Sequence, residues 1–226
     1  MQSIASELVT FYRSLRIGSD LPPGISLLNP QANEEVLQII ELFFTKFYSD
    51  SHPRQLLFGI NPGRFGAGTT GINFTAPKQL REKLGIDHSF KDKTELSAEF
   101  IYEVIDRYGG AGKFYSDFFL TAISPLGFMQ AGKNLNYYDD KSLLKIVEPF
   151  IIKSIGQQLR IFRPSQTCIC IGGEKNYEFF VSLNNRYQFF KTIIPLPHPR
   201  FIMQYRRKQK NIFLLQYLSA LEELRK

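Results

Sequence analysis

Four short runs interrupt an otherwise mixed pattern of apolar and polar positions: QLLFGI at 55–60, FFLTAIS at 118–124, TCICIG at 167–172 and KTIIPL at 191–196. Each is continuously apolar rather than alternating, as in strands covered on both faces. Between them the apolar spacing changes to that of helices. Residues 33–48 (NEEVLQIIELFFTKFY) place acids in the first turn of an amphipathic stretch. Residues 94–110 (TELSAEFIYEVIDRYGG) open on Thr94 as an N-cap and close on Gly109-Gly110. Residues 141–162 and 173–186 flank the third strand, 204–226 close the chain as a helix, and 1–16 are also helix-like. Residues 76–93 are polar and charged, which predicts a surface loop. Interleaved strands and helices predict an α/β fold, a three-layer αβα sandwich around a central, mainly parallel four-stranded sheet. No repeat, low-complexity tract or linker divides residues 1–226, so a single domain is expected.

Ligands of such sheets bind at the carboxyl ends of the strands. Three loops therefore matter: those after Ile60, after Ser124 and after Leu196. The first carries the densest signal, FGINPGRFGAGTTGINF at 58–74, with a literal GxGxxG at Gly66–Gly71. A dinucleotide-binding loop needs that pattern directly after a strand and at the opening of a helix. Here five residues separate it from Ile60, and the INFTAP that follows is a poor helix start. A phosphate loop needs a lysine followed by Ser or Thr after its last glycine, and GRFGAGTT offers none. What remains is a buried strand that runs straight into Asn61-Pro62-Gly63. Pro62 restricts Asn61 to extended backbone and so fixes its amide at the strand end, while the glycines admit close approach of a flat ligand.

Composition narrows the partners. A formal charge of +7 and a pI near 9.3 favour a polyanion, because lysine and arginine displace counterions from phosphate. At 43% hydrophobic and 22% charged the chain fits a globular protein, with no apolar run of membrane-spanning length and no secretory leader pattern. A cytoplasmic protein is expected. Cys168 and Cys170 alternate within one strand run and read as core thiols. Two cysteines cannot hold an iron–sulfur cluster, and His52, His88 and His198 are scattered, so neither metal nor cofactor is expected.

The stretch at 58–74 resembles the first motif of the uracil-DNA glycosylase superfamily, in particular its single-strand-selective monofunctional (SMUG) branch, which carries a run close to GMNPGPFGMAQTGVPF. Asn61, Pro62, Gly63, Phe65, Gly66, Thr70, Gly71 and Phe74 fall at the same offsets. PHPRF at 197–201 is similar to a shortened form of the second motif, His-Pro-Ser-Pro-Arg. KFYSDFFLTAISPLGF and GKNLNY resemble the central region, so the likeness spans roughly residues 25–220.

The resemblance implies a monofunctional DNA glycosylase that flips out a deaminated base and hydrolyses its N-glycosidic bond in base excision repair. Asn61 would orient the attacking water, and His198 would donate a hydrogen bond to the leaving base. Phe74 would stack on the base, with backbone groups at Ile60 and Gly63 facing its carbonyl edge. Pro199, Arg200 and Phe201, followed by Ile202 and Met203, would form a wedge loop, and Arg206, Arg207, Lys208 and Lys210, a run at a helix start, would contact phosphates. No lysine stands where a Schiff-base nucleophile would, so no lyase activity is expected, and the protein is expected to act as a monomer on damaged DNA. One position departs from the family: in LTAISPL the base-reading asparagine of the V-H-N-L-C-P-L pattern is replaced by Ala122. That puts strict uracil selection in doubt and admits xanthine or hypoxanthine. Two other readings stand beside this one: a catalytically weak nucleic-acid-binding module of the same fold, and a nucleotide-binding oxidoreductase using GxGxxG.

Overall fold

A computed structural model describes residues 3–225. Positions 1, 2 and 226, the outer ends of the first and last helical patterns, lie outside the described residues. In chain order the elements are α1 (Ile4–Ser14), β1 (Ile25–Leu28), α2 (Glu34–Phe47), β2 (Gln55–Gly59), α3 (Ala67–Thr70), α4 (Pro77–Glu82), α5 (Leu96–Tyr108), α6 (Ala111–Asp117), β3 (Phe118–Ala122), β4 (Gly127–Gln130), β5 (Lys133–Leu135), α7 (Lys141–Phe162), β6 (Thr167–Ile171), α8 (Glu174–Tyr187), β7 (Thr192–Leu196), α9 (Pro199–Tyr205) and α10 (Lys210–Leu224).

The four apolar runs form one sheet in the order β3-β2-β6-β7, all neighbours parallel. It is the core of an α/β sandwich with helices packed around it. Leu56, Leu57 and Phe58 of β2 and Cys168, Ile169, Cys170 and Ile171 of β6 are all buried, which explains their unbroken apolar character. Helix α1 packs against α2 and α7, while α5, α9 and α10 pack together. The helix starts are set by side chains that satisfy free N–H groups: Ser3 for α1, Asn33 for α2 and Asp140 for α7.

Several expectations need correction. A second, antiparallel sheet, β1-β4-β5, escaped the pattern reading because its strands have only three or four residues and are largely exposed. Its β4–β5 turn is the two-residue Ala131-Gly132, both left-handed (φ 47° and 71°), the geometry that matches strand twist. The expected surface loop at 76–93 contains α4, and Leu80, Leu84 and Ile86 from it are buried. Glu95, not Thr94, occupies the N-cap of α5; the Thr94 hydroxyl instead donates to Glu99 (3.1 Å). The closing pattern at 204–226 is not one helix, since α9 ends at Tyr205 and a short 3₁₀ turn precedes α10.

Candidate active site

At the carboxyl end of β2 the chain turns through Ile60-Asn61-Pro62-Gly63. The Gly63 carbonyl accepts from the N–H groups of Gly66 (3.2 Å) and Gly68 (2.8 Å), which folds the loop back on itself. A Cβ on Gly68 would lie 2.7 Å from that carbonyl oxygen, so the loop closes only with glycine there. The GxGxxG segment forms the single turn α3, ended by Gly71 at φ 75°. Its glycines serve tight backbone packing.

The residues after α3 are held by Thr70, whose hydroxyl donates to the Thr75 carbonyl (2.7 Å) and accepts from the Ile72 N–H (3.2 Å). This turn presents Phe74 in a left-handed conformation (φ 54°), which costs a non-glycine residue about 1–3 kcal/mol. The half-buried ring lies over Gly59: a Cβ there would be 2.9 Å from the ring's Cε2 and Cζ. Gly59 pairs with Ala122 across the β2–β3 ladder, which sets Ala122 beside the ring.

Asn61 is fixed from two directions. Its Oδ1 accepts from the Tyr137 N–H (3.1 Å), and its Nδ2 donates to the carbonyls of Leu135 and Pro62 (both 3.3 Å). Tyr137 is itself buried, donating through its hydroxyl to Asn176 Oδ1 (2.7 Å), whose Nδ2 donates to Cys170 Sγ (3.3 Å). One lone pair of Asn61 Oδ1 is left for a ligand or a water.

His198 stands across the cavity as the N-cap of α9. Its Nδ1 accepts the Arg200 N–H (3.1 Å), so the ring proton of the neutral imidazole sits on Nε2. Burial, reinforced by the Arg200 charge, lowers its pKa to about 4. The imidazole is therefore neutral at physiological pH and a donor at Nε2. Its ring lies 6.1 Å from that of Phe74.

Ile60, Asn61, Gly63, Phe74, Ala122, His198 and Arg200 all line one cavity of about 350 Å³. The remaining expected residues lie outside it, and their setting differs from the expectation. Pro199, Arg200 and Phe201 form the first turn of a helix rather than a loop, because proline suits the first helical position and His198 caps it. Pro199 is buried, Phe201 is exposed, and the Arg206 guanidinium lies over the Phe201 ring (5.4 Å). Arg206 is both the C-cap of α9, where a cation is favourable, and the N-cap of the 3₁₀ turn that holds Arg207 and Lys208, so the run does lead into a helix start, at Lys210 of α10. Lys210 pairs with Glu103 (2.6 Å).

Sequence reasoning missed five polar residues that line the cavity: Asn73, Glu95, Ser97, Asn134 and Asn136. Burial, opposed by Arg200 and Ser97, raises the Glu95 pKa. The Asn134 side chain accepts the Arg64 N–H (3.1 Å). It had one sequence signal, the GKNLNY likeness, which named no role. Cys168 and Cys170 are buried core thiols; burial raises both, Cys170 to about 12. Among the described residues no cluster of His, Cys, Asp or Glu could hold a metal ion, and no helix is long and apolar enough to cross a membrane.

A flat aromatic ring, a fixed amide and a neutral imidazole donor thus meet in one cavity at the carboxyl ends of parallel strands. The sequence profile of the uracil DNA glycosylase superfamily matches residues 45–222, and the chain belongs to that family. The crystal structure of Pedobacter heparinus SMUG2 is similar at a TM-score of 0.95 and 44% identity, covering 99% of each chain. No curated protein matches the chain. The protein is thus a DNA glycosylase of uracil-DNA glycosylase type, a hydrolase of N-glycosyl bonds.

Proposed function

We propose that this glycosylase excises uracil and at least one deaminated purine, xanthine or hypoxanthine, from DNA as a monomer. The observation that carries this reading is the wall beside the Phe74 floor. Where an amide would read uracil, Ala122 offers a methyl group within a cavity of about 350 Å³. An apolar wall rejects a larger analogue far less strongly than a hydrogen-bonding one.

In this reading the extruded base stacks on Phe74, an interaction worth about 1–3 kcal/mol that is indifferent to base identity. As the glycosidic bond breaks, charge collects on the base, and the Nε2–H of His198 donates to a base carbonyl oxygen. The neutral imidazole keeps its Nε2–H, so it can stabilise the developing anion by hydrogen bonding without transferring a proton. The free lone pair of Asn61 Oδ1 orients the water that attacks C1′ of the sugar. Phe201 wedges into the gap left in the stack, and Arg200, Arg206 and Arg207 hold the flanking phosphates.

The test is single-turnover cleavage of matched oligonucleotides carrying uracil, xanthine or hypoxanthine, followed by alkali. Wild type should release uracil and a purine, and Ala122→Asn should shift the ratio toward uracil. Cleavage of uracil alone, with ratios unmoved by Ala122→Asn, would show that Ala122 does not face the base.

A further inference from the structure

Asn73 is 7% exposed and lines the same cavity as Phe74 and Ala122. A buried amide needs partners, because leaving a donor or acceptor unmet costs about 1–3 kcal/mol. The Asn73 side chain lies beside the Tyr12 hydroxyl of α1, also buried. One hydroxyl can occupy one of the two donors or two lone pairs of an asparagine, and leaves the others to whatever fills the cavity.

The backbone fixes where that amide sits. The Thr75 hydroxyl donates to the Asn73 carbonyl (3.2 Å), and Phe74, the next residue, is locked at φ 54°. The stacking ring and the amide therefore come from one rigid turn. A base lying on the ring is at a set height and distance from the amide. The SMUG-like run carries proline at the offset of Asn73, and the central motif carries asparagine at the offset of Ala122. In this chain a base-edge amide is missing from one wall, and an amide is present on another.

Resting on the glycosylase reading, we propose that Asn73 is the specificity-determining amide of this pocket, pairing with the carbonyl-beside-N–H edge of the extruded base in place of the group absent at Ala122. Uracil, hypoxanthine and xanthine all carry that edge, so one amide serves a pyrimidine and a purine.

The experiment compares wild type, Asn73→Leu and Asn73→Leu with Ala122→Asn in single-turnover excision of uracil and hypoxanthine. Affinity for an abasic oligonucleotide of the same sequence is measured in parallel. Loss of a group that acts on the departing base should slow Asn73→Leu by about 10²-fold on both bases and leave abasic affinity unchanged. Adding Ala122→Asn should recover uracil but not hypoxanthine. Wild-type rates in Asn73→Leu, or an equal loss of abasic affinity, would overturn the proposal while the glycosylase reading stands; a wild type inert on every deaminated base would overturn both. Should Asn73→Leu fail to fold, Asn73→Asp keeps the shape and exchanges the NH₂ donor for an acceptor, and undiminished excision by it would be equally decisive.

Discussion

Gly59→Ala is the smallest change that should disable the site. A Cβ at Gly59 would stand 2.9 Å from Cε2 and Cζ of Phe74 and 3.4 Å from the Thr121 carbonyl oxygen. Ordinary carbon–carbon contact begins near ~3.5 Å, so the ring must retreat by at least about 0.6 Å. It cannot swing freely, because its backbone is held left-handed between the Thr70 and Thr75 hydrogen bonds. Overpacking of this kind costs about 1–3 kcal/mol, which thermal unfolding would register. The larger effect should be on rate: a misplacement approaching 1 Å in a positioned group can lower activity by about 10²-fold. Single-turnover excision of uracil measures this, and Phe74→Leu supplies the control. With the ring removed, Gly59→Ala should have little further effect, so the double variant should match Phe74→Leu alone. A Gly59→Ala enzyme at wild-type rate, or two losses that simply add, would refute the placement of Phe74 under the base.

Three further outcomes follow from the same geometry. Asn61→Ala should lower base release by about 10²–10³-fold with DNA affinity little changed, and undiminished single-turnover cleavage would remove it from the mechanism. Arg206→Ala with Arg207→Ala should weaken binding and reduce the slope of log affinity against log salt by about 0.7–0.9 for each phosphate no longer neutralised; parallel isotherms would leave this exposed pair merely solvated. His198 has its pKa lowered to about 4, so the neutral form that donates through Nε2 persists as pH falls through 6 and is lost only near 4. The acid limb of kcat/KM assigned to His198, by its absence in His198→Ala, should therefore lie near 4, and a limb near 6.5 would contradict a buried neutral imidazole.

The main sheet and long helices were legible because each is a long or continuous signal. The α7 pattern at 141–162 coincides with Lys141–Phe162, and the four apolar runs match the strands to within one or two residues at each end. Expectation failed where tertiary context overrode local character. The stretch at 76–93 looked solvated, yet its few apolar residues plug the core. The 199–201 segment was expected as a loop because the family resemblance implied a wedge loop after His198, yet proline at the first helical position starts a helix there. Asn61, Phe74 and His198 could be named because a motif fixed their offsets. Asn73 and Glu95 could not, since a polar residue in a polar stretch carries no sign of burial until the chain is folded around it.

The two halves of the proposed reaction are unequally equipped. An amide can orient a water but cannot take its proton, and three of the hydrogen bonds Asn61 can make are already spent on the chain itself. That rigidity, passed through Tyr137 and Asn176 to Cys170 of the central strand β6, favours precise placement over activation. On the other side stands an imidazole kept neutral by burial, with its proton directed by the Arg200 N–H to the nitrogen free to donate. In the proposed reaction the site would therefore be weighted toward the departing base, stabilising charge there and leaving a weakly activated water to capture the sugar. Such a balance suits a pocket with an alanine wall, because stabilising charge on a carbonyl oxygen works for any deaminated base that offers one. On the proposed reading, breadth of substrate and modest activation of water would be two consequences of one arrangement of side chains.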